Sequence, residues 1–289
     1  MKEQMSHARK RWIAVIASFL LAGLPARYLV QKISTLDGGP GISVFASPNL
    51  GSALLMIALV LILALLAGVI SARFCGPRVG LFSMGLPLVW SSLGMGRMDD
   101  IVRAVHAADG SQSALMWTLA VESIILGAVV FAGTLLIRKA SPGWTRRDVS
   151  SPFNSLFWAG MGACFLVSAL ITWLIARSDL PGQVMAACWI GGIVGSAAGR
   201  LAFPRVSTLA FVAGIILLGF LAHIGGAFFD EADALVRTNA NALFPLNRPL
   251  PLVYIAAALV AAPAGSAWGI SLAGQFGTNK VHSEDAAAG

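Results

Sequence analysis

The sequence predicts an all-helical integral membrane protein with eight transmembrane helices, and three observations lead to this fold class. The chain of 289 residues is 57% hydrophobic and only 11% charged, whereas soluble domains carry about 25% charged residues. Eight apolar tracts are each long enough to cross a bilayer as a helix, which takes about 20 residues. The charges between the tracts are distributed as membrane topology requires. Each tract is a continuous apolar run without the alternation of period two that is typical of barrel strands.

The predicted spans follow the apolar tracts in chain order. They are residues 12–31, 51–72, 79–96, 114–137, 153–176, 183–202, 206–227 and 250–273. The first follows the basic stretch from Lys2 to Arg11, and the poor cleavage pattern around Pro25 favours a retained helix over a signal peptide. Pro87 in the third span and Pro263 in the eighth can kink their helices.

The placement of the charges predicts that both termini are cytoplasmic. With the N-terminus inside, every cytoplasmic segment is net basic and these segments hold most of the 20 Lys and Arg residues. The opposite side takes most of the acidic residues, including Asp109 and Asp179. We therefore expect a bacterial plasma (inner) membrane protein whose basic residues contact membrane lipids, and we expect no nucleic-acid partner.

Two pairs of short motifs predict a tandem repeat. R-x-x-x-P-R-V occurs at residues 73–79 and again at residues 200–206, and D-x-[I/L]-V-R occurs at 99–103 and 233–237. Each pair falls at the same place in the order of the spans. A duplicated four-helix unit, 12–137 and 153–273 within one membrane domain, would keep both copies in the same orientation, related by an axis along the membrane normal. The alternative is chance matching in an apolar chain of low complexity.

Residues 98–109, between the third and fourth spans, read as an amphipathic helix lying on the membrane. Asp99, Arg103 and His106 share one face of it, and Gly110 is suited to its end. We expect a polar mouth on the outer face. Its candidate residues are Asp99, Asp100, Arg103, His106, Asp230, Glu231, Asp233 and Arg237. The simpler interpretation is a solvated helix face with an Asp99–Arg103 ion pair.

Glycines at intervals of four predict close helix packing in two spans. They are Gly191, Gly195 and Gly199 in the sixth span and Gly265 and Gly269 in the eighth. Small residues on one helix face let two backbones approach closely. The pattern favours contacts within the chain, with contacts to other subunits as the alternative.

Glu122 is the one acidic residue well inside a predicted span. Ionisable groups at such depth are costly and indicate function by default. Arg27 and His223 fall at comparable depth in the first and seventh spans, so the three residues form a candidate intramembrane polar cluster. In the alternative interpretation, Arg27 reaches outward, His223 is a hydrogen-bonded core residue, and Glu122 bonds a neighbouring hydroxyl group.

The sequence contains no motif for known catalytic chemistry. HExxH, GxxxxGK[S/T] and GxSxG are all absent, and the three cysteines form no CxxC. We therefore predict no catalytic, cofactor-binding or metal residues and no cofactor. Three function classes follow: a transporter of a small solute, ion or lipid; a membrane-embedded subunit or scaffold, with other subunits or further copies of the chain as partners; and an intramembrane enzyme. The tandem halves and Glu122 favour transport.

Overall fold

The computed structural model describes residues 2–34, 41, 43–141, 154–229 and 234–287, with side chains described from residue 8 to residue 274 of these ranges, and it contains no strands there. The helices are α1 (Lys2–Ala17), α2 (Gly23–Val30), α3 (Leu50–Cys75), α4 (Pro77–Gly94), α5 (Met98–Ala107), α6 (Gln112–Ala140), α7 (Ser155–Ile175), α8 (Pro181–Ala202), α9 (Thr208–Phe229), α10 (Ala234–Asn239) and α11 (Pro251–Ala287). A π-helical segment, Ser18–Ala22, joins α1 to α2, and a 3-10 turn, Pro245–Asn247, precedes α11.

Seven helices of the described chain are long and apolar enough to cross a membrane. They are Ala8–Val30, Leu50–Cys75, Gln112–Ala140, Ser155–Ile175, Pro181–Ala202, Thr208–Phe229 and Pro251–Gly274. The third predicted span falls on α4, which qualifies only together with α5, and these two helices are bent by 47° at the break between them. The chain is therefore a membrane protein by the length and composition of its helices.

Polar residues just before three of the long helices fix where those helices begin. The side-chain oxygens of Asn49, Ser111 and Asn154 accept hydrogen bonds from backbone amides in the first turns of α3, α6 and α7, at 3.2, 3.3 and 2.9 Å. These caps satisfy amides that have no partner inside the helix. The start of each helix is thus encoded locally.

The two R-x-x-x-P-R-V segments form different turns. In the first, Gly76 with φ of +90° is the sole residue between α3 and α4, and Pro77 opens α4. In the second, Arg200 is buried and donates to the Pro204 carbonyl at 2.9 Å and to the Ser266 hydroxyl of α11 at 2.7 Å. Arg200 therefore connects the turn to α11 by hydrogen bonds, whereas its counterpart Arg73 is exposed.

The helices pack as two groups. In the first, α3 contacts α2, α4 and α6; in the second, α8 contacts α7, α9 and α11. The groups meet through α4 against α11, α6 against α9, α6 against α11, and α5 against α10. We call the end of the bundle that carries α5 and α10 the α5 face, and the end that carries Gly76 and residues 203–207 the turn face. Residues 251–263 of α11 are all buried, so this helix is central.

The glycines of α8 and α11 lie in helix contacts within the chain. A Cβ atom built on Gly195 would stand 2.7 Å from the Cys164 carbonyl oxygen of α7, and one on Gly269 would stand 2.8 Å from the Ala197 carbonyl oxygen of α8. Gly191, Gly199 and Gly265 face neighbouring helices equally closely. Backbone atoms cannot move aside as flexible side chains can, so the backbone contacts of Gly191, Gly195, Gly265 and Gly269 require glycine, whereas Gly199 faces the ring of Phe211.

The amphipathic segment forms α5, but it ends differently from the prediction. The left-handed residue after the helix is Asp109, with φ of +52°, and the Gly110 amide donates back to the Val105 carbonyl at 2.8 Å. Aspartate tolerates this conformation better than most residues. Ile101 and Val102 on the buried side attach α5 to the bundle.

Candidate functional site

Glu122 lies ten residues into α6, about 15 Å along the helix axis, and is completely buried. Its Oε2 atom accepts hydrogen bonds from the Ser43 hydroxyl, from the Val44 amide at 2.9 Å and from the Phe45 amide at 3.2 Å. Its Oε1 atom has no hydrogen-bond partner among the described residues. Three donors converging on one oxygen are suited to a carboxylate, which only accepts hydrogen bonds when ionised.

The loop that binds Glu122 precedes α3 and is tied down at neighbouring points. The Gly41 amide donates to the Ile33 carbonyl at 2.7 Å, and the Gly96 amide, at the break between α4 and α5, donates to the Gly41 carbonyl at 3.2 Å. The Ser47 hydroxyl donates to the Ser34 carbonyl at 3.1 Å. The loop is therefore coupled both to Glu122 and to the α4–α5 break.

His223 of α9 is completely buried and meets the residue next to Glu122. Its Nδ1 atom lies 2.6 Å from the Gly219 carbonyl oxygen and 3.3 Å from the Ser123 hydroxyl. Because a carbonyl only accepts, Nδ1 carries the proton, which leaves Nε2 as an acceptor. Nε2 makes no hydrogen bond of good geometry with the described residues, although the Pro249 backbone also lies close to the ring. Tyr254 of α11 places its ring edge-to-face with the imidazole, at 6.3 Å between centroids.

The structure does not bring Arg27, Glu122 and His223 into one hydrogen-bonded cluster. Arg27 lies 5.5 Å from the centroid of the Trp90 ring, in a cation–π contact that joins α2 to α4. Within the described residues, the carboxylate of Glu122 has only backbone and hydroxyl partners. Glu122 and His223 are related indirectly, because α6 presents Glu122 to the loop at residues 43–45 and Ser123 to His223 of α9.

Part of the predicted polar mouth is a set of ion pairs on α5. Asp99 lies 3.7 Å from Arg103 and 3.4 Å from Arg97, and Arg97 lies 3.2 Å from Asp100. The predicted Asp99–Arg103 pair is therefore present. His106 is exposed and Arg237 lies on α10, while Asp230, Glu231 and Asp233 fall outside the described residues.

Asp179 and Arg248 extend this charge network into the second group of helices. They form a buried ion pair at 3.2 Å, and Arg248 also donates to the Asn241 side chain at 2.7 Å. Burial raises the pKa of Asp179 above its ordinary value, Arg248 opposes the rise, and the negative charge of Asp99 adds to it. The sequence did not predict this pair, because Asp179 and Arg248 lie 69 residues apart in different connecting segments.

The described residues contain no group of three or more His, Cys, Asp or Glu side chains that could hold a metal ion. The arrangement can bind a proton or a polar solute at buried acceptors, and it offers charged side chains at the α5 face. No protein-family model, no curated protein and no solved structure matches this chain.

Proposed function

We propose that this protein is a transporter of a small solute or ion, in which two four-helix halves move against each other. One observation carries the proposal: α6 presents a buried carboxylate to one half and meets a buried histidine in the other. Each of these ionisable side chains keeps one acceptor atom without a partner among the described residues. Fully buried ionisable groups in a membrane domain are expensive, and they commonly mark a substrate or proton pathway.

The halves are proposed to be copies of one unit. A two-fold relation between the halves would exchange each helix with its counterpart: α2 with α7, α3 with α8, α4 with α9, α5 with α10 and α6 with α11. Under this exchange the α4–α11 contact becomes the α9–α6 contact, and both contacts exist. The α5–α10 and α6–α11 contacts map onto themselves. This packing supports a two-fold axis between α6 and α11. In transporters built from parallel repeats, binding sites lie where such repeats meet.

This arrangement supports eight spans. Because Gly76 alone separates α3 from α4, α4 must run back alongside α3 towards the α5 face. At 1.5 Å per residue, the 18 residues of α4 extend about 27 Å, close to the hydrocarbon thickness of about 30 Å. The basic turn face is proposed to lie in the cytoplasm of a bacterial cell, with both termini there.

In this mechanism, Glu122 couples the binding of a proton or cation to the conformation of the α5 face. A proton or cation on its carboxylate would weaken the acceptor that holds Ser43, Val44 and Phe45. The loop is also bonded at the α4–α5 break, so the state of Glu122 would influence the α5 face. The other two function classes have no such observation. The glycine faces are occupied within the chain, and the described carboxylates of α5 are engaged in ion pairs.

The test is flux into proteoliposomes that contain the purified protein and an internal pH-sensitive dye. Amino acids, sugars and inorganic ions are added one class at a time. We expect one class to change the internal pH with the wild-type protein and not with Glu122→Gln. The exposed Asp109→Asn is the matched control and should behave as the wild type. Absence of flux for every class, together with a stoichiometric partner in a native pulldown, would favour the subunit function instead.

A further inference from the structure

A lateral groove separates α1 from α3 on the lipid-exposed side of the bundle. Its volume is about 620 Å³, and its walls are apolar side chains of both helices, with Lys10 at one end and Ala22 at the other. Only 22% of the apolar window of the first span is buried inside the protein, so most of its surface is available to lipid. The groove is therefore a gap that something apolar from the membrane must fill.

The floor of the groove is polar and holds the two helices together. The Ser18 hydroxyl donates to the Ala14 carbonyl at 2.8 Å and lies 3.4 Å from the Ser71 hydroxyl of α3. Because the Ser18 proton is used on α1, Ser71 is the donor between the helices. The two hydroxyl groups satisfy each other and leave the apolar walls for an apolar ligand.

The length of the groove matches one leaflet. Lys10 of α1 and Ala22, the last residue of the π-helical segment, are twelve residues apart, which corresponds to about 18 Å at the α-helical rise, while half of the hydrocarbon core is about 15 Å. The groove thus begins at the headgroup level of the turn face and ends near the middle of the bilayer. This is the extent of one acyl chain, whereas a transmembrane helix of a partner would need a groove about twice as long.

The charge at the open end fits an anionic headgroup. Lys10 lines the groove, and no described carboxylate pairs with it. Arg9 and Arg11 flank it in sequence, and Arg73 is adjacent in sequence to the lining residue Phe74 of α3. The described side chains at the turn face include no Asp or Glu. A phosphate held there would meet a positive surface, which attracts anionic lipid.

From these observations we propose that α1 and α3 form a binding site for an anionic phospholipid. One acyl chain lies in the groove between the helices, and the lipid phosphate contacts Lys10. The site is independent of the transport activity proposed above, because none of its residues belongs to the Glu122 or His223 surroundings. It would attach α1, the first part of the first span, to α3.

Native mass spectrometry of the purified protein after delipidation tests the site, with phosphatidylglycerol and phosphatidylcholine added back separately. We expect one tightly held phosphatidylglycerol per wild-type chain. Ala17→Phe and Ala67→Phe, one on each wall, should each remove it by filling the groove. Lys10→Gln should keep a lipid but reduce the preference for phosphatidylglycerol about fivefold, as expected for one basic residue at an anionic headgroup.

Matched controls separate this site from general surface effects. Ala132→Phe is an equivalent change on an exposed position of α6, and Lys139→Gln removes an exposed charge at the same face. Neither control should alter retention or preference. Equal lipid retention in the wild type and in both groove-filling variants would overturn the proposal, as would an unchanged preference in Lys10→Gln. Recovery of a polypeptide instead of a lipid at this site would also overturn it.

Discussion

At the residue scale, the chemistry of this protein depends on how each buried ionisable side chain is satisfied. Glu122 is satisfied by a hydroxyl and two amides of a loop, His223 by a carbonyl of its own helix and by Ser123, and Arg248 by Asp179 and Asn241. Removing one partner of such a contact leaves a buried donor or charge unpaired, which costs far more free energy than removing both partners. The cost of a substitution therefore depends on what remains unpaired.

Removing the carboxylate of Glu122 should loosen the loop that it holds. Glu122→Leu leaves the Val44 and Phe45 amides without an acceptor, at a cost of about 1–3 kcal/mol each. We expect hydrogen exchange at these two amides to accelerate at least about tenfold. Glu122→Gln keeps a carbonyl acceptor and should change exchange much less. Val121→Leu, at the exposed neighbouring position, is the control. Unchanged exchange in Glu122→Leu would show that the loop is held by other contacts.

Glu122 could be selected from the sequence, but its partners could not. It is the one acidic residue deep in an apolar tract, so its cost in a membrane is visible from composition alone. Ser43 lies 79 residues away along the chain, in a connection that reads only as a loop. The same applies to Arg27, whose position suggested a carboxylate partner, whereas the structure places it on the ring of Trp90. Aromatic partners leave no charge pattern in a sequence.

We expect substitutions of the two members of the Asp179–Arg248 pair to differ in how much stability they cost. Arg248→Met leaves a buried, uncompensated carboxylate and should cost about 3–5 kcal/mol of stability in detergent. Asp179→Asn leaves Arg248 charged, but its guanidinium still donates to the Asn241 side chain and to the Asn241 and Leu243 carbonyls, so it should cost less than Arg248→Met. Thermal unfolding of the two variants beside the wild type measures the difference. Equal losses would contradict a net burial penalty on Asp179.

The same pair predicts a pH dependence with a definite sign. The pKa of Asp179 is raised by burial and held back by Arg248, so Arg248→Met should raise the pKa further. A carboxyl group with a raised pKa in the folded protein stabilises the fold below its ordinary pKa and loses that contribution as pH rises through the raised value. Acidification towards the ordinary aspartate range, about pH 4, should therefore restore part of the stability of Arg248→Met. The double variant with Asp179→Asn should show no such recovery.

At the element scale, helix contacts at glycine positions set the spacing of the second half. Gly265 of α11 faces the backbone of Ile193 in α8, and a Cβ atom there would also lie 2.9 Å from the Cβ atom of Ser196. The interval of four residues made these faces predictable from sequence, because small residues on one helix face indicate a close contact. Which helix supplies the other side could not be predicted, because spacing within one helix carries no information about its partner.

Gly265→Ala should destabilise the protein by about 1–3 kcal/mol, because the new methyl group meets backbone that cannot retreat. Gly162→Ala is the matched control, since a Cβ atom at that helical position meets nothing within 4 Å. We expect the control to leave the melting temperature unchanged or slightly higher. The measurement is thermal unfolding of both variants in the same detergent. A neutral Gly265→Ala would mean that α8 and α11 lie farther apart than described.

At the scale of the whole molecule, seven of the eight predicted spans correspond to helices that are long and apolar enough to cross a membrane, and the exception is the third predicted span. The tract at 79–96 became α4, whose 18 residues qualify as a span only with the bent α5. Local composition could not resolve this, because Ser83, Ser91 and Ser92 lower the hydropathy of α4 while lying buried against other helices. The hydroxyls of Ser91 and Ser92 bond to carbonyls of α4 itself, so hydropathy underestimates how readily this helix is buried.

A cysteine-labelling experiment decides whether α4 crosses the membrane. Native Cys75 lies beside the Gly76 turn, and Asp109→Cys adds a thiol beyond α5, while Cys164 and Cys188 are buried. With eight spans and a cytoplasmic N-terminus, an impermeant maleimide should label Asp109→Cys in intact cells and Cys75 only in inverted vesicles. Labelling of both positions from the same side would mean that α4 does not cross the membrane.

The central claim, that the two halves move against each other during transport, is tested most directly by locking them together. A Cβ atom on Gly127 of α6 would stand 3.7 Å from the Cβ atom of Ile216 in α9, a separation that suits a disulfide. The Gly127→Cys/Ile216→Cys pair is made in a chain whose native cysteines are replaced by alanine. Gly160→Cys/Val206→Cys, 3.3 Å apart within one half, is the control.

Oxidation should abolish flux through the protein locked between halves, and reduction should restore it, while the control pair should transport in both states. Failure of the Gly127→Cys/Ile216→Cys pair to cross-link would contradict the α6–α9 contact. Cross-linking that leaves flux undiminished would contradict the relative motion of the halves.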